Sequence, residues 1–106
     1  MKIYVSGKYS SDNIIDGLKN IREGIKVAAL LIKMGHIPFC PFLDHQFFFY
    51  EDITIEEIQN YSLSWLENCE AIYVMSGYEN SKGTLKEIEV AKQKGIKIYY
   101  YLKDIK

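Results

Sequence analysis

The stretch AIYVMSGYENSKGTLKEIEVA, residues 71–91, decides how this chain folds. Its first five residues, 71–75, are mostly apolar and predict a short buried strand. The polar segment 76–83 contains two glycines and predicts a loop, and a helix is predicted over 84–94, with Gly95 as its C-terminal cap. Open α/β sheets bind ligands where a strand leads through such a loop into a helix N-terminus. Glu87, in the first turn of this predicted helix, is therefore the leading candidate for chemistry.

Hydrophobic patterns define the remaining elements. Lys2–Ser6 (KIYVS) has consecutive apolar residues, which is typical of a parallel strand covered on both faces. A long helix is predicted from a cap at Ser11 or Asp12 to near Met34. Its inner stripe is predicted to be Ile14, Leu18, Ile21, Ile25, Ala28 and Ile32. Further strands are predicted at 36–39 and 96–102, and a further helix begins at the capping box TIEE, residues 54–57.

The order of these elements is β-α-β-loop-α-β-α-β. Because crossovers between parallel strands are right-handed, this order predicts an α/β fold of the flavodoxin or Rossmann-like type. The predicted fold is a three-layer sandwich whose four-stranded parallel sheet has the strand order 2-1-3-4. Residues 1–106 are predicted to form it as a single domain. The loops 7–11 and 76–83 would meet where the strand order reverses, which would bring Lys8 towards Glu87.

Composition excludes several classes of function. The net charge of −1, with Lys and Glu interspersed, gives no basic stripe for nucleic acid. No apolar run approaches the roughly 20 residues of a membrane span, and no signal peptide is recognised, so we expect a cytoplasmic protein without membrane contact. Cys40 and Cys69 are too few for a disulfide framework. Together with His36 and His45 they match no zinc spacing, so no metal and no cofactor is predicted.

The segment CPFLDHQFFFYEDI, residues 40–53, is predicted to be a loop without regular structure, and its length indicates function or binding. The rings of residues 47–50 could wall a pocket, contact another subunit or fold onto the core. His45 is either an exposed loop residue or a group that protonates a leaving base near neutral pH. Elsewhere, Trp65 is predicted to lie in the core, and Lys82 and Lys86 are interpreted as surface charge.

Glu87 has two interpretations. The tetrapeptide TLKE, residues 84–87, is itself a capping box, in which Glu87 would only close the start of the helix. Alternatively, Glu87 faces a cleft and acts in glycosyl transfer, where a carboxylate attacks or stabilises an oxocarbenium-like transition state. In that case the helix N-terminus is expected to lower its pKa and keep it ionised.

The segment SLSWLENCEAIYVM followed by SGYENSKGTLKEIEVA resembles sequences of the nucleoside 2-deoxyribosyltransferase superfamily. This superfamily includes transferases, deoxynucleoside-monophosphate N-glycosidases and small bacterial and phage domains of unassigned function, and the chain looks most like these small domains. The resemblance covers most of the chain and implies that Glu87 is the nucleophile and that Tyr4 contacts it. It places Ser81 and Gly83 at the sugar's 5′ side or a phosphate, and Gly7 in the first ligand loop.

Two positions depart from the family pattern. The glycosidases have an Asp three residues before the Trp, and this chain has Ser62 there, whose hydroxyl cannot replace a general acid. Another acid, Asp44, Glu51 or Glu79, could substitute, or hydrolysis could be slow or lost. The monophosphate hydrolases have an Arg in the first loop, where this chain has Lys8, a point charge without bidentate geometry.

The predicted function is therefore an N-glycosyl hydrolase or transferase that acts on a nucleoside or nucleoside monophosphate. Glu87 and Tyr4 are the predicted catalytic residues, and the predicted substrate-binding residues are Gly7, Lys8, His45, Ser62, Ser81 and Gly83. The resemblance also implies a homodimer or larger homo-oligomer. Two alternatives are a nucleotide-binding module without chemistry, which Ser62 favours, and a structural or oligomeric domain, which the many aromatic residues favour.

Overall fold

A four-stranded parallel sheet forms the centre of the computed structural model, which describes residues 1–106. Its strands are β1 (Lys2–Ser6), β2 (Ile37–Phe39), β3 (Ala71–Val74) and β4 (Lys97–Tyr99). They lie in the order β2-β1-β3-β4, and all three pairings are parallel. The predicted order 2-1-3-4 is confirmed, and β1 is an inner strand with neighbours on both edges.

Three helices complete the sandwich: α1 (Ile14–Lys33), α2 (Ile55–Glu67) and α3 (Lys82–Lys94). Successive side chains of a strand point to opposite faces, and β1 therefore contributes to two separate cores. Val5 packs in a cluster with Leu31 of α1, whereas Tyr4 packs in a second cluster with Leu66 of α2 and Ile88 of α3. This is the predicted three-layer arrangement. None of the helices combines the length and apolarity that a membrane crossing requires.

The helix ends follow local capping chemistry. Thr54 and Glu57 form the predicted capping box, since each side chain accepts a hydrogen bond from the other residue's backbone N–H at 3.0 Å. Gly95 ends α3 in the left-handed conformation, at φ 70°, as predicted. The start of α1 is different: its cap is Asn13, whose side chain accepts from the Asp16 N–H at 2.9 Å, so the prediction of Ser11 or Asp12 was wrong.

The inner face of α1 also differs from the predicted stripe. Ile14, Leu18 and Ile32 of the predicted stripe are exposed, whereas Ala28 is buried as predicted and Ile21 and Ile25 pack against the core. Gly24 and Leu31 are the other buried residues of this helix. The cause is the ring of Phe42, which packs directly on Gly24. A glycine gives that ring room to approach the helix backbone, so the buried face of α1 includes Gly24 and the predicted end residues of the stripe are left in solvent.

Residues 40–53 are not the predicted irregular loop, because Pro41–Phe49 form a 3-10 helix, here called the aromatic helix. Pro41 lies in its first turn, where the fixed φ of proline favours a helical start. Phe42 is buried, while Phe49 and Tyr50 are 77% and 87% exposed. Of the alternatives for the rings of residues 47–50, the one in which they all fold onto the core is therefore wrong.

Other boundaries are shorter than predicted. The strands predicted at 36–39, 71–75 and 96–102 each lose one or more residues at their ends, and the chain after β4 makes a 3-10 turn at Leu102–Asp104 that places Ile105 in the core. Trp65 is half exposed instead of buried. Its ring stacks on Phe39 with centroids 5.1 Å apart, so it covers the sheet edge without entering the core.

Two glycines of α1 provide a matched test of the packing between Phe42 and this helix. A Cβ on Gly24 would lie 2.2 Å from Cδ2 of the buried Phe42, whereas a Cβ on Gly17 would meet nothing within 4 Å. We expect Gly24→Ala to lower the free energy of unfolding by about 1–3 kcal/mol, and Gly17→Ala to raise it by about 0.5–1 kcal/mol. Urea denaturation measures both. Equal effects of the two substitutions would contradict the contact between Phe42 and Gly24.

Candidate active site

A cavity of about 660 Å³ opens where β1, β2 and β3 end. Its walls come from the loop after β1, the aromatic helix after β2, one face of α2 and the start of α3. Carboxyl ends of neighbouring strands at a reversal of strand order are where open α/β sheets bind ligands. The eight predicted site residues all line this cavity: Tyr4, Gly7, Lys8, His45, Ser62, Ser81, Gly83 and Glu87.

Glu87 is the central polar group of the cavity wall. Its Oε2 accepts a hydrogen bond from the Tyr4 hydroxyl, and its Oε1 accepts one from the Ser6 hydroxyl at 2.6 Å. Both donors lie on β1, two residues apart and therefore on the same face of the strand. The inner strand of the sheet thus holds both oxygens of this carboxylate.

The capping interpretation of Glu87 is wrong. Helix α3 begins at Lys82, and its N-cap is Ser81, whose Oγ accepts from the Thr84 N–H at 3.3 Å and from the Thr84 hydroxyl at 3.0 Å. Thr84 is therefore a buried residue inside the helix and not its cap. Glu87 accordingly lies in the second turn and faces the sheet, without bonding back to the helix start.

Burial is the main cause of the pKa shifts of Glu87 and Tyr4. Loss of hydration raises the pKa of Glu87, and the hydrogen bonds from Ser6 and Tyr4 oppose this rise. The expected lowering by the helix N-terminus is wrong, because Glu87 lies beyond the first turn, to which that effect is confined. Burial, and then the charge and hydrogen bond of Glu87, raise the pKa of Tyr4 well above its ordinary value. Tyr4 therefore keeps its proton and remains a donor.

Backbone geometry shapes the side of the cavity opposite the aromatic helix. A Cβ on Gly7 would lie 2.9 Å from Sδ of Met75, so glycine permits the first loop to pass over the end of β3. A Cβ on Gly83 would meet nothing within 4 Å, which leaves the first turn of α3 open to the cavity. Lys82 and Lys86 are exposed, as predicted, but they also line the cavity together with Lys8. Three cations therefore surround this opening.

The aromatic helix supplies the facing wall with Phe42, Asp44, His45 and Phe48. Nδ1 of His45 lies 2.9 Å from the carbonyl oxygen of Phe42. A carbonyl only accepts, so Nδ1 carries the proton, and in the neutral ring Nε2 carries none. His45 is partly buried, which excludes the interpretation of a simple exposed loop residue.

Asp44 is the second carboxyl group of the cavity. Burial raises the pKa of Asp44 to about 6, although the neighbouring His45 lowers it. Its Oδ2 is shielded from solvent and has no hydrogen-bond partner. Asp44 therefore lacks the donors that Glu87 has, and it keeps its proton to a higher pH than an ordinary aspartate does.

Sequence reasoning missed Ser6 and left Asp44 as one of three possible acids. The strand period could have found Ser6, since it lies two residues after Tyr4 and must share its face. Asp44 had no such indication, because its place in the cavity depends on the aromatic helix. No group of three or more His, Cys, Asp or Glu side chains gathers in an arrangement that could hold a metal ion.

A family model described as a domain of unknown function, DUF4406, matches residues 1–100. The chain belongs to this family. No curated protein matches this DUF4406 chain.

Among solved structures, the DUF4406 chain is similar to a 2-deoxyribosyltransferase from the psychrotolerant bacterium Bacillus psychrosaccharolyticus. The TM-score is 0.68, and the match covers 92% of this chain and 69% of that chain at 15% sequence identity. A likeness at this identity concerns the fold. It confirms the α/β fold that the sequence resemblance implied for this DUF4406 chain.

Proposed function

We propose that this chain breaks the N-glycosidic bond of a nucleoside or nucleoside monophosphate and transfers the sugar to water or to a second base. The observation that carries the proposal is Glu87, whose carboxylate accepts two hydroxyl hydrogen bonds at the wall of a cavity of about 660 Å³. That volume lies within the range of small-molecule sites. The fold likeness to a 2-deoxyribosyltransferase supports the same class of substrate.

The chemistry proceeds in two displacements. In the first, a carboxylate oxygen of Glu87 attacks C1′ of the sugar, the C1′–N bond breaks, and its electron pair leaves with the base, which takes up a proton. In the second, water or another base attacks C1′ of the glycosyl ester, loses a proton, and releases the Glu87 carboxylate. Tyr4 and Ser6 are positioning residues, which aim the carboxylate and favour its ionised form.

The sugar's 5′ end is held between the two ligand loops in this proposal. Gly7 and Lys8 contribute from the first loop, and Ser81 and Gly83 from the start of α3. The first turn of α3 lines this side of the cavity, and a helix N-terminus favours an anion. The three lysines around the opening support a phosphorylated substrate over a neutral nucleoside.

A nucleotide-binding module without chemistry is the second candidate, and the observation that favours it is Ser62. This residue is buried where the related glycosidases have an Asp. Its side chain also opposes the upward pKa shift of Tyr4.

Glu87→Gln separates the candidates. If the proposal holds, wild-type protein releases free base from at least one nucleoside or nucleoside monophosphate of a broad panel, followed by chromatography. We expect Glu87→Gln to lower that rate by roughly 10³-fold or more, because an amide cannot attack C1′. Glu89→Gln, on the exposed face of the same helix, is the matched control and should keep full activity.

The outcomes of this panel are distinct. Base release that survives Glu87→Gln would refute the assigned nucleophile. A ligand-induced rise in melting temperature without base release would favour the binding module. No melting-temperature shift with any nucleotide would leave the structural or oligomeric domain.

Tyr4→Phe tests how the nucleophile is kept ionised. The hydrogen bond from Tyr4 lowers the pKa of Glu87, so its removal raises that pKa. The ionised carboxylate is then lost at a higher pH on acidification, and we expect the acidic limb of the kcat/KM profile to move to higher pH. Tyr99→Phe on β4, away from the cavity, is the control. An unmoved limb in Tyr4→Phe would show that Tyr4 does not tune Glu87.

We also propose that copies of the chain associate through the exposed aromatic side chains of residues 48–50. Single apolar side chains are common on surfaces, whereas a contiguous group of large rings is typical of interfaces. Phe49→Ser with Tyr50→Ser should therefore shift the molar mass in light scattering from dimer or larger towards monomer. A monomeric wild-type chain at high concentration would contradict this assembly.

A further inference from the structure

The departing base in the proposed reaction needs a proton. Ser62, which stands where the resemblance places an Asp in the glycosidases, cannot supply it. Ser62 is 9% exposed, and an aliphatic hydroxyl is too weak an acid for this step. Among all residues that line the cavity, only Asp44 and Glu87 carry a carboxyl group. Glu51 and Glu79, the other two acids that the sequence suggested, are exposed and lie outside the cavity wall.

Asp44 stands on the wall opposite the 5′ side. It belongs to the aromatic helix, as does Phe48, whose partly exposed ring lines the cavity and offers apolar surface for a base. The charge of Asp44 acts on the hydroxyl of Tyr4, which is the donor to Glu87, and also on the hydroxyl of Tyr9. The two carboxyl groups therefore line one cavity, and the charges of both raise the pKa of the Tyr4 phenol.

The two carboxyl groups have opposite hydrogen-bond environments. Glu87 accepts from two hydroxyls, which stabilise a negative charge. Oδ2 of Asp44 is shut off from solvent and accepts from nothing. A pair of carboxyl groups in such unequal surroundings is the arrangement by which one remains an acid while the other is a nucleophile.

We propose that Asp44 is the proton donor to the departing base and the proton acceptor in the second step; this assignment rests on the proposed function. As the C1′–N bond breaks, the electron pair goes to the base nitrogen, which takes the carboxyl proton, and Asp44 becomes a carboxylate. That carboxylate then removes the proton from the water or second base that attacks C1′. Release of the Glu87 carboxylate completes the cycle, with Asp44 protonated again.

The acidity of Asp44 suits this role. Burial raises its pKa to about 6, so a useful fraction of the side chain is protonated near neutral pH. The titratable groups nearest to Asp44 in the chain are His45 on its own helix and Cys40 just before that helix. Tyr4 of β1 and Tyr9 of the following loop also face it. The charged groups across the cavity are Lys8, Lys82, Lys86 and Glu87. His45 is the rival donor, but in its neutral form its one proton is on Nδ1, bonded to the Phe42 carbonyl, and Nε2 has none to give.

The test compares two leaving groups on Asp44→Asn. One substrate is the nucleoside or nucleotide that wild-type protein turns over. The other is the 4-nitrophenyl glycoside of the same sugar, whose leaving group departs as the stable 4-nitrophenolate anion and needs no proton. We expect Asp44→Asn to slow base release by about 10²-fold or more, and to leave nitrophenolate release within about 5-fold. Glu87→Gln should lose both activities, and Glu79→Gln, outside the cavity, should lose neither.

The pH profile gives a second readout. A general acid works only while protonated, so wild-type kcat/KM for base release should fall as the pH rises through about 6. Asp44→Asn should lose this limb for base release. Its melting temperature at pH 8 should equal or exceed that of wild type, because asparagine replaces a buried carboxylate that is ionised at that pH; this control separates lost chemistry from lost fold.

Each remaining outcome overturns a defined statement. Unchanged base release by Asp44→Asn, with wild type active, refutes the proton donor and leaves the proposed function intact. Equal losses on both leaving groups, in a variant that stays folded, assign Asp44 to binding and also refute the proton donor. A wild-type chain that releases no base and no nitrophenolate refutes the proposed function, and the assignment of Asp44 with it.

Discussion

The hydrogen bonds from Tyr4 and Ser6 to the Glu87 carboxylate are the constraint on which the cavity depends. A carboxylate withdrawn from water costs several kcal/mol unless donors replace its hydration. Here both donors come from β1, one of the two inner strands of the sheet, which is paired on both edges. The orientation of Glu87 is therefore coupled to the core, and the cavity wall cannot shift without disturbing the sheet.

The opposite wall of the cavity, formed by the aromatic helix, is not part of this hydrogen-bond network. The aromatic helix is attached to the core through Phe42 on Gly24, and its remaining rings are mostly exposed. Asp44 thereby enters the cavity from a segment that does not share the hydrogen bonds of Glu87. One carboxyl group has two donors and the other has none, and this difference arises from the elements that carry them.

Local patterns predicted most of the fold. The strand order, the Thr54 capping box and the Gly95 cap follow from short-range chemistry and from the handedness of crossovers, which do not depend on distant contacts. The inner face of α1 was mispredicted because a distant side chain, Phe42, packs on Gly24. The cap of α3 was misplaced by three residues, because Ser81 caps the helix and Thr84 is buried inside it.

The sequence by itself determined the α/β class, the parallel order of the strands and most of the polar residues that could meet at their carboxyl ends, because periodicity and crossover handedness are properties of the chain. Only the tertiary structure decided that Glu87 bonds to Tyr4 and Ser6 instead of capping its helix, and that Asp44, not Glu51 or Glu79, lines the cavity. The physical reason is that burial and hydrogen-bond partners, which set the charge and direction of a carboxyl group, come from residues distant in sequence.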